Sequence, residues 1–160
     1  MGGGLPRCRS MERFNVLTGD LDHHSGRAGY RWRGASRVGA GLGGERMGAS
    51  VYELDDGELT FPYHFHHGVE EWLCVIAGTP TVRTPGGEHE LAAGDLVCFP
   101  SGREGAHTVL GPGRVMLLSA NRSPSISVYP ESDKLGTRPG DDSDRLNFRR
   151  ADAVDYWEGE

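Results

Sequence analysis

Between Ala49 and Ala120 apolar and polar residues alternate in short runs, broken by glycine and proline. Ser50-Val51-Tyr52-Glu53-Leu54 alternates and stops at Asp55-Asp56-Gly57, a turn signal. Glu71 to Ala77 reads as a strand ending at Gly78, and Thr81 to Thr84 as another before the turn Pro85-Gly86-Gly87. Glu88 to Leu91, Leu96 to Phe99, His107 to Leu110 and Val115 to Ser119 complete the series. No stretch here keeps a helical period. Short strands at this spacing predict an antiparallel sandwich or barrel over about 50–120.

The flanks are less regular. Residues 1–11 read as a flexible lead-in, with the natural start at Met1 or Met11, and 12–160 as one domain. Glu12 to Leu17 alternates enough to predict a first strand. Residues 18–48 are polar and glycine-rich, and are expected to run as irregular chain over an edge or mouth of the sheet, anchored by Tyr30 and Trp32. Ile126 to Tyr129 predicts a strand, Gly140 to Asp144 an acidic loop, and 151–155 one helical turn. The tail aromatics Phe148, Tyr156 and Trp157 need cover, on the barrel or on a partner subunit, so a homodimer is expected.

Composition narrows the classes. A length of 160 residues suits one domain with a real core. The 25 glycines have no period of three, which excludes collagen. A net charge of -6 argues against nucleic acid as partner, and Arg27, Arg31, Arg33 and Arg37 read as a solvated loop. No apolar run reaches membrane length, and Met1 to Pro6 carries no apolar stretch, so no secretory leader is expected. The 3 cysteines, Cys8, Cys74 and Cys98, lack close spacing and read as reduced thiols of a cytoplasmic protein, the latter two buried in strands.

Candidate chemistry lies in Gly57-x6-His64-Phe65-His66-x4-Glu71-x6-Gly78. Residues two apart in a strand share a face, so His64 and His66 project together and Phe65 points away. A turn at His67-Gly68 returns the chain to bring a carboxylate to the same side. Two imidazoles and a carboxylate suit Mn, Fe, Co, Ni or Zn. A second constellation, Gly94-x5-Pro100-x-Gly102-x4-His107, places another histidine at the start of a later strand.

Together these motifs resemble those of the cupin superfamily over roughly residues 50–120, and most closely a group of small bacterial cupins. The resemblance implies an all-β fold, an antiparallel double-stranded β-helix or jelly-roll-like barrel, here with N- and C-terminal extensions. It also implies a single divalent metal ion (Mn, Fe, Ni or Zn) held by His64, His66, Glu71 and His107. The family's spacing to the closing glycine selects Glu71, leaving Glu70 to face outward. Two departures stand out. Six residues separate Gly57 from His64 where five are usual, and the loop from Gly102 to His107 is longer than usual. His107 is therefore expected to be the weakest ligand.

Leu73 and Val75 share the parity of Glu71 and are expected to line the cavity, with Arg83 a candidate substrate anchor or an exposed strand residue. Tyr52, Phe61, Tyr63 and Phe99 are core or pocket wall. His23, His24 and His89 read as solvated, and His67 as a turn residue. Four protein ligands leave a metal position open for a small molecule. The site thus suggests a metalloenzyme of oxygenase, isomerase or lyase type; a non-catalytic metabolite-binding or sensing cupin is the alternative. No sequence feature assigns a catalytic residue.

Overall fold

The computed structural model describes residues 12–120 and 123–160. The expected lead-in over 1–11, with the choice between Met1 and Met11, lies outside the described residues. Among the described residues the chain forms thirteen strands: β1 (His23–Arg27), β2 (Tyr30–Ala35), β3 (Met47–Leu54), β4 (Phe65–His67), β5 (Glu71–Gly78), β6 (Thr81–Thr84), β7 (Gly87–Glu90), β8 (Leu96–Phe99), β9 (Thr108–Leu110), β10 (Gly113–Ala120), β11 (Ser125–Tyr129), β12 (Lys134–Arg138) and β13 (Asn147–Arg149). One short helix, α1 (Val38–Gly41), separates β2 from β3. No helix among the described residues is long and apolar enough to cross a membrane.

All pairings are antiparallel. The sheets run β1-β2-β3-β10-β5-β8, β13-β12-β11-β4 and β7-β6-β9. Insertion of the late strand β10 between β3 and β5 is the crossing connection of a jelly-roll-like barrel. The alternation seen in the sequence sets the faces. On β5, Leu73 and Val75 point inward and are buried, while the alternate residues Cys74 and Ile76 are half-buried. Leu73 joins Tyr52, Leu54, Val82, Phe99, Val109 and Val115 in one apolar cluster. Burying each Val or Leu contributes about 1.5–3 kcal/mol. A smaller cluster of Phe65, Ala106 and Val128 supports the other side of the metal-motif strand. Gly78, with φ of 82°, abuts Gly113, and a Cβ there would fall 2.7 Å from the Gly113 Cα. Only glycine lets β5 turn away at that point.

The flanks depart from expectation. Glu12 to Leu17 is not a strand: the Asn15 side chain accepts the Leu17 and Thr18 N–H groups at 2.9 and 3.1 Å, curling the chain into a turn. Residues 18–48 do cover an edge, that of β3, but as the hairpin β1-β2 rather than as irregular chain. That hairpin turns at Ala28-Gly29, where Gly29 has φ of 79°. Trp32 is its anchor, edge-to-face with Tyr52 and Phe61 at centroid distances of 5.0 and 5.9 Å. The arginines expected in a solvated loop are exposed, but Arg27, Arg31 and Arg33 lie on these strands, the last two facing Glu58 and Glu53.

In the tail, β12 and β13 extend the second sheet, and a 3-10 turn at Arg150–Asp152 replaces the helical turn expected over 151–155. Tyr156 and Trp157 remain 83% and 72% exposed, so they do not pack back on the barrel. Cys98 is exposed and Cys74 half-buried, against the expectation of two buried thiols. Their side of β5 and edge strand β8 is the outer, partly exposed face of the sheet.

Candidate metal centre

His64 sits just before β4 and pairs in an isolated bridge with His107, just before β9: His64 N–H donates to the His107 carbonyl at 3.1 Å, and His107 N–H to the His64 carbonyl at 2.8 Å. His66 is on β4 opposite Ser127 of β11. Glu71 opens β5 opposite Phe99 of β8. Four side chains from separate elements therefore meet at one end of the barrel. The long loop before His107 is shaped by a 3-10 turn, Arg103–Gly105, where a Cβ on Gly105 would strike the Pro100 carbonyl. Phe99 then stacks on the His107 ring, with centroids 3.7 Å apart and planes 5° from parallel.

The nitrogens converge on one carboxylate oxygen. The Nε2 atoms of His66, His107 and His64 lie 3.2, 3.5 and 4.0 Å from Glu71 Oε2. Ligand atoms of His64, His66 and Glu71 all fall within 4.8 Å of one another. Donors bound to one ion at about 2.0–2.2 Å stand roughly 3–4 Å apart, so the spacing suits a shared cation.

The protonation pattern makes the same point. Nδ1 of His64 donates to the Pro62 carbonyl and Nδ1 of His107 to the Gly105 carbonyl, each at 2.8 Å. A carbonyl only accepts, so the hydrogen sits on Nδ1 and each Nε2 presents a lone pair. The two Nε2 lone pairs of His64 and His107 and the Glu71 carboxylate thus face one point, an arrangement that a cation satisfies. His66 Nδ1 instead meets the Ser127 hydroxyl at 3.1 Å, which can accept or donate.

Electrostatics keep the set ready for a cation at neutral pH. Burial first, then the neighbouring His107 and His66, pushes His64 down to about 4. His107 is lowered too, chiefly by burial. Burial alone would raise the Glu71 carboxyl, but the hydrogen bond and charge of His66, with His107 and His64, outweigh it and hold Glu71 below its ordinary value. Neutral imidazoles beside an ionised carboxylate are the states in which these groups bind metal.

The centre lies in a cavity of about 660 Å³, within the range of small-molecule sites. Tyr52 and Phe61 are on its wall, Tyr63 lies at a smaller pocket of about 230 Å³, and Phe99 belongs to the core. Leu73 and Val75 have the inward parity expected of them, but they lie in the apolar core and not on the cavity wall. Arg83 is also elsewhere: it lines the smaller pocket, pairs with Glu131 at 2.6 Å and lies over the Tyr63 ring.

Glu70 faces outward, accepting the Trp72 Nε1–H at 2.8 Å. His67 ends β4 opposite Ile126 and is exposed, as are His23, His24 and His89. Sequence reasoning missed Ser127, Tyr129 and Arg138, which β11 and β12 bring to the site. Tyr129 stacks on His64 at 5.8 Å, and Arg138 Nε donates to Ser127 Oγ at 3.3 Å. Only strand pairing with β4 could have pointed to them, because nothing in their local sequence marks them.

Comparison with known proteins bears on the fold. A family model for the cupin domain matches residues 50–121. A sequence search among curated proteins finds no match. Among solved structures, a protein provisionally named as a sugar phosphate isomerase from Acidithiobacillus ferrooxidans aligns with a TM-score of 0.69 at 24% identity, over 79% of this chain and 81% of its own. A sugar phosphate isomerase from Silicibacter pomeroyi, described as of a cupin superfamily, gives 0.69 at 20%, over 76% and 78%. The polyketide cyclase RemF from Streptomyces resistomycificus gives 0.54 at 17%, over 71% and 81%.

Proposed function

From the match of residues 50–121 to the cupin-domain family model we propose that this chain is a metal-dependent enzyme acting on a small organic molecule bound at the ion. One observation carries the reading: three imidazole Nε2 atoms converge within 3.2–4.0 Å of a single Glu71 oxygen in a cavity large enough for a metabolite. In this reading His64, His66, Glu71 and His107 hold one divalent ion, and Ser127 and the Pro62 and Gly105 carbonyls orient the rings. With four protein donors, a five- or six-coordinate ion keeps a position for substrate. The ion would supply Lewis-acid polarisation of a bound oxygen or acidification of a bound water.

The chain's own groups account for the rest. Neutral His64 and His107 and ionised Glu71 accept the cation without first losing protons at neutral pH. Phe61, Val69 and Leu117 on the cavity wall limit water beside it. The neighbours' names span isomerase and cyclase chemistry, and at these identities their likeness supports the fold alone, so the reaction type stays open. The test is elemental analysis of protein purified without added metal, followed by assays of isomerisation of phosphorylated and free sugars and of oxygen uptake with acids and phenols. About one divalent ion per chain, lost with its activity on chelation, is expected. Turnover that survives complete removal of metal would overturn the reading.

A further inference from the structure

Among the described residues one arginine stands on the wall of the same cavity, Arg138 at the end of β12. Its Nε is held on Ser127 Oγ at 3.3 Å, and no hydrogen bond to another described residue engages its two terminal nitrogens. Arg83 and Arg114, by contrast, face Glu131 at 2.6 Å and Glu53 at 3.3 Å. Among the described residues Arg138 has no carboxylate within ion-pair distance.

Among the described residues the acidic groups on this wall are Glu71, which faces the three imidazoles, and Glu45. Ser123 and Ser125 add hydroxyl donors on the wall. A guanidinium fixed through Nε presents its remaining N–H groups as a fork, the shape that grips a carboxylate or phosphate through two hydrogen bonds.

We propose that this cavity selects substrates bearing an oxyanion, a carboxylate or a phosphate, and that Arg138 is the residue that selects them. The proposal rests on the metal-centre reading only in placing the substrate's other end at the ion. With Glu71 answered by a divalent ion, the cavity's charge turns in favour of an anion, and Arg138 is its fixed cationic group. The hydrogen-bonded chain Arg138–Ser127–His66 ties the anchor to the wall that carries the metal ligands, the Ser127 to His66 step being 3.1 Å. Charge-assisted hydrogen bonds of this kind change affinity by about 10–100-fold.

The test is titration calorimetry on the full chain loaded with Mn²⁺, with ribose, ribose 5-phosphate and ribonate as probes. At least one anion, phosphate or carboxylate, is expected to bind more tightly than ribose by about 10-fold or more, and which one does so names the oxyanion. Arg138→Gln should erase that advantage while manganese content stays at the parent's level, and Arg138→Lys should restore part of it. No preference for either anion in the parent, a preference retained in Arg138→Gln, or no binding of any probe would each overturn the proposal. The same titrations on metal-free protein separate the two readings. An anion preference that persists there and disappears with Arg138→Gln upholds the anchor even if the chain holds no manganese.

Discussion

His64 and His107 are each locked by a carbonyl two residues back in the chain, and His66 by a serine from another strand. This predicts a graded loss of metal. Replacing His64, His66 or His107 with alanine should each abolish stoichiometric binding. His107 is placed in that group, against the expectation drawn from its long loop, because it is 3% exposed and stacked against Phe99. Glu71→Gln keeps an oxygen but removes the charge and should weaken binding, whereas Glu70→Gln should change nothing. Ser127→Ala should cost about 10–100-fold in affinity, the usual effect of removing a ring-orienting partner. Metal content after dialysis checks the set. Strong loss in Glu70→Gln with retention in Glu71→Gln would place the strand one residue out of register.

The same histidines predict how metal-free protein responds to acid. The unfolded chain protonates His64 near 6.5, while in the fold burial delays protonation to about 4. Between those values the unfolded state binds more protons, so stability falls as pH falls from 6.5 to 4 and is fullest above that window. A shift of this size corresponds to roughly 3 kcal/mol at most. His107, lowered for the same reason, acts in the same direction, and Glu71 adds loss at still lower pH. Denaturant midpoints of chelated protein at pH 7, 5.5 and 4 should decline in that order. A midpoint that rises on acidification contradicts the buried neutral imidazoles.

At the scale of elements, β5 divides its labour along its length. Glu71, at its start, reaches the cavity, whereas Leu73 and Val75, with the same parity, are buried in the core, Leu73 in one cluster with Tyr52, Val82 and Phe99. Leu73→Ala should therefore destabilise the fold by about 2–5 kcal/mol through the space it leaves, with metal affinity unchanged in the folded protein. Chemical denaturation alongside metal titration separates the two effects. A change in affinity without a change in stability would put Leu73 back on the cavity wall.

At the scale of the molecule, the outer face of the six-stranded sheet carries apolar residues in register across three strands. Leu118, Trp72 and Cys98 lie side by side in one row, and Met116, Cys74 and Leu96 in the next. Leu96 is 58% exposed, and the tail adds Tyr156 and Trp157. Apolar surface of this kind marks an interaction face. We therefore expect a homodimer that buries this face, the tail aromatics or both. Light scattering should return twice the chain mass, and Leu96→Arg with Trp157→Ser should reduce it to one. A parent that stays monomeric at all concentrations contradicts this expectation.

Periodicity and turn residues by themselves determined the central strands, because each alternating run records which side of a sheet faces the core. H-x-H with Glu71 was legible for the same reason, since strand parity puts His64 and His66 on one face whatever the rest of the chain does. Exposed strands were not legible: β1 and β13 bury nothing fully and β12 only Gly136, so their sequences mark no core face, while β2 alternates over Tyr30-Arg31-Trp32-Arg33 but lies in a polar, glycine-rich stretch; all four are specified by the edges they pair with. Asn15 shows the opposite error, where one side-chain hydrogen-bond acceptor overrides an alternating pattern. Depth was the other decision left to tertiary structure. Parity says which face a residue takes but not how far down the barrel it lies, and that distance separates Glu71 in the cavity from Leu73 in the core. Only the pairing of β4 with β11, 61 residues apart at His66 and Ser127, brought Ser127 and Tyr129 to the site, with Arg138 following on β12, because contacts across such a distance leave no local trace in the chain.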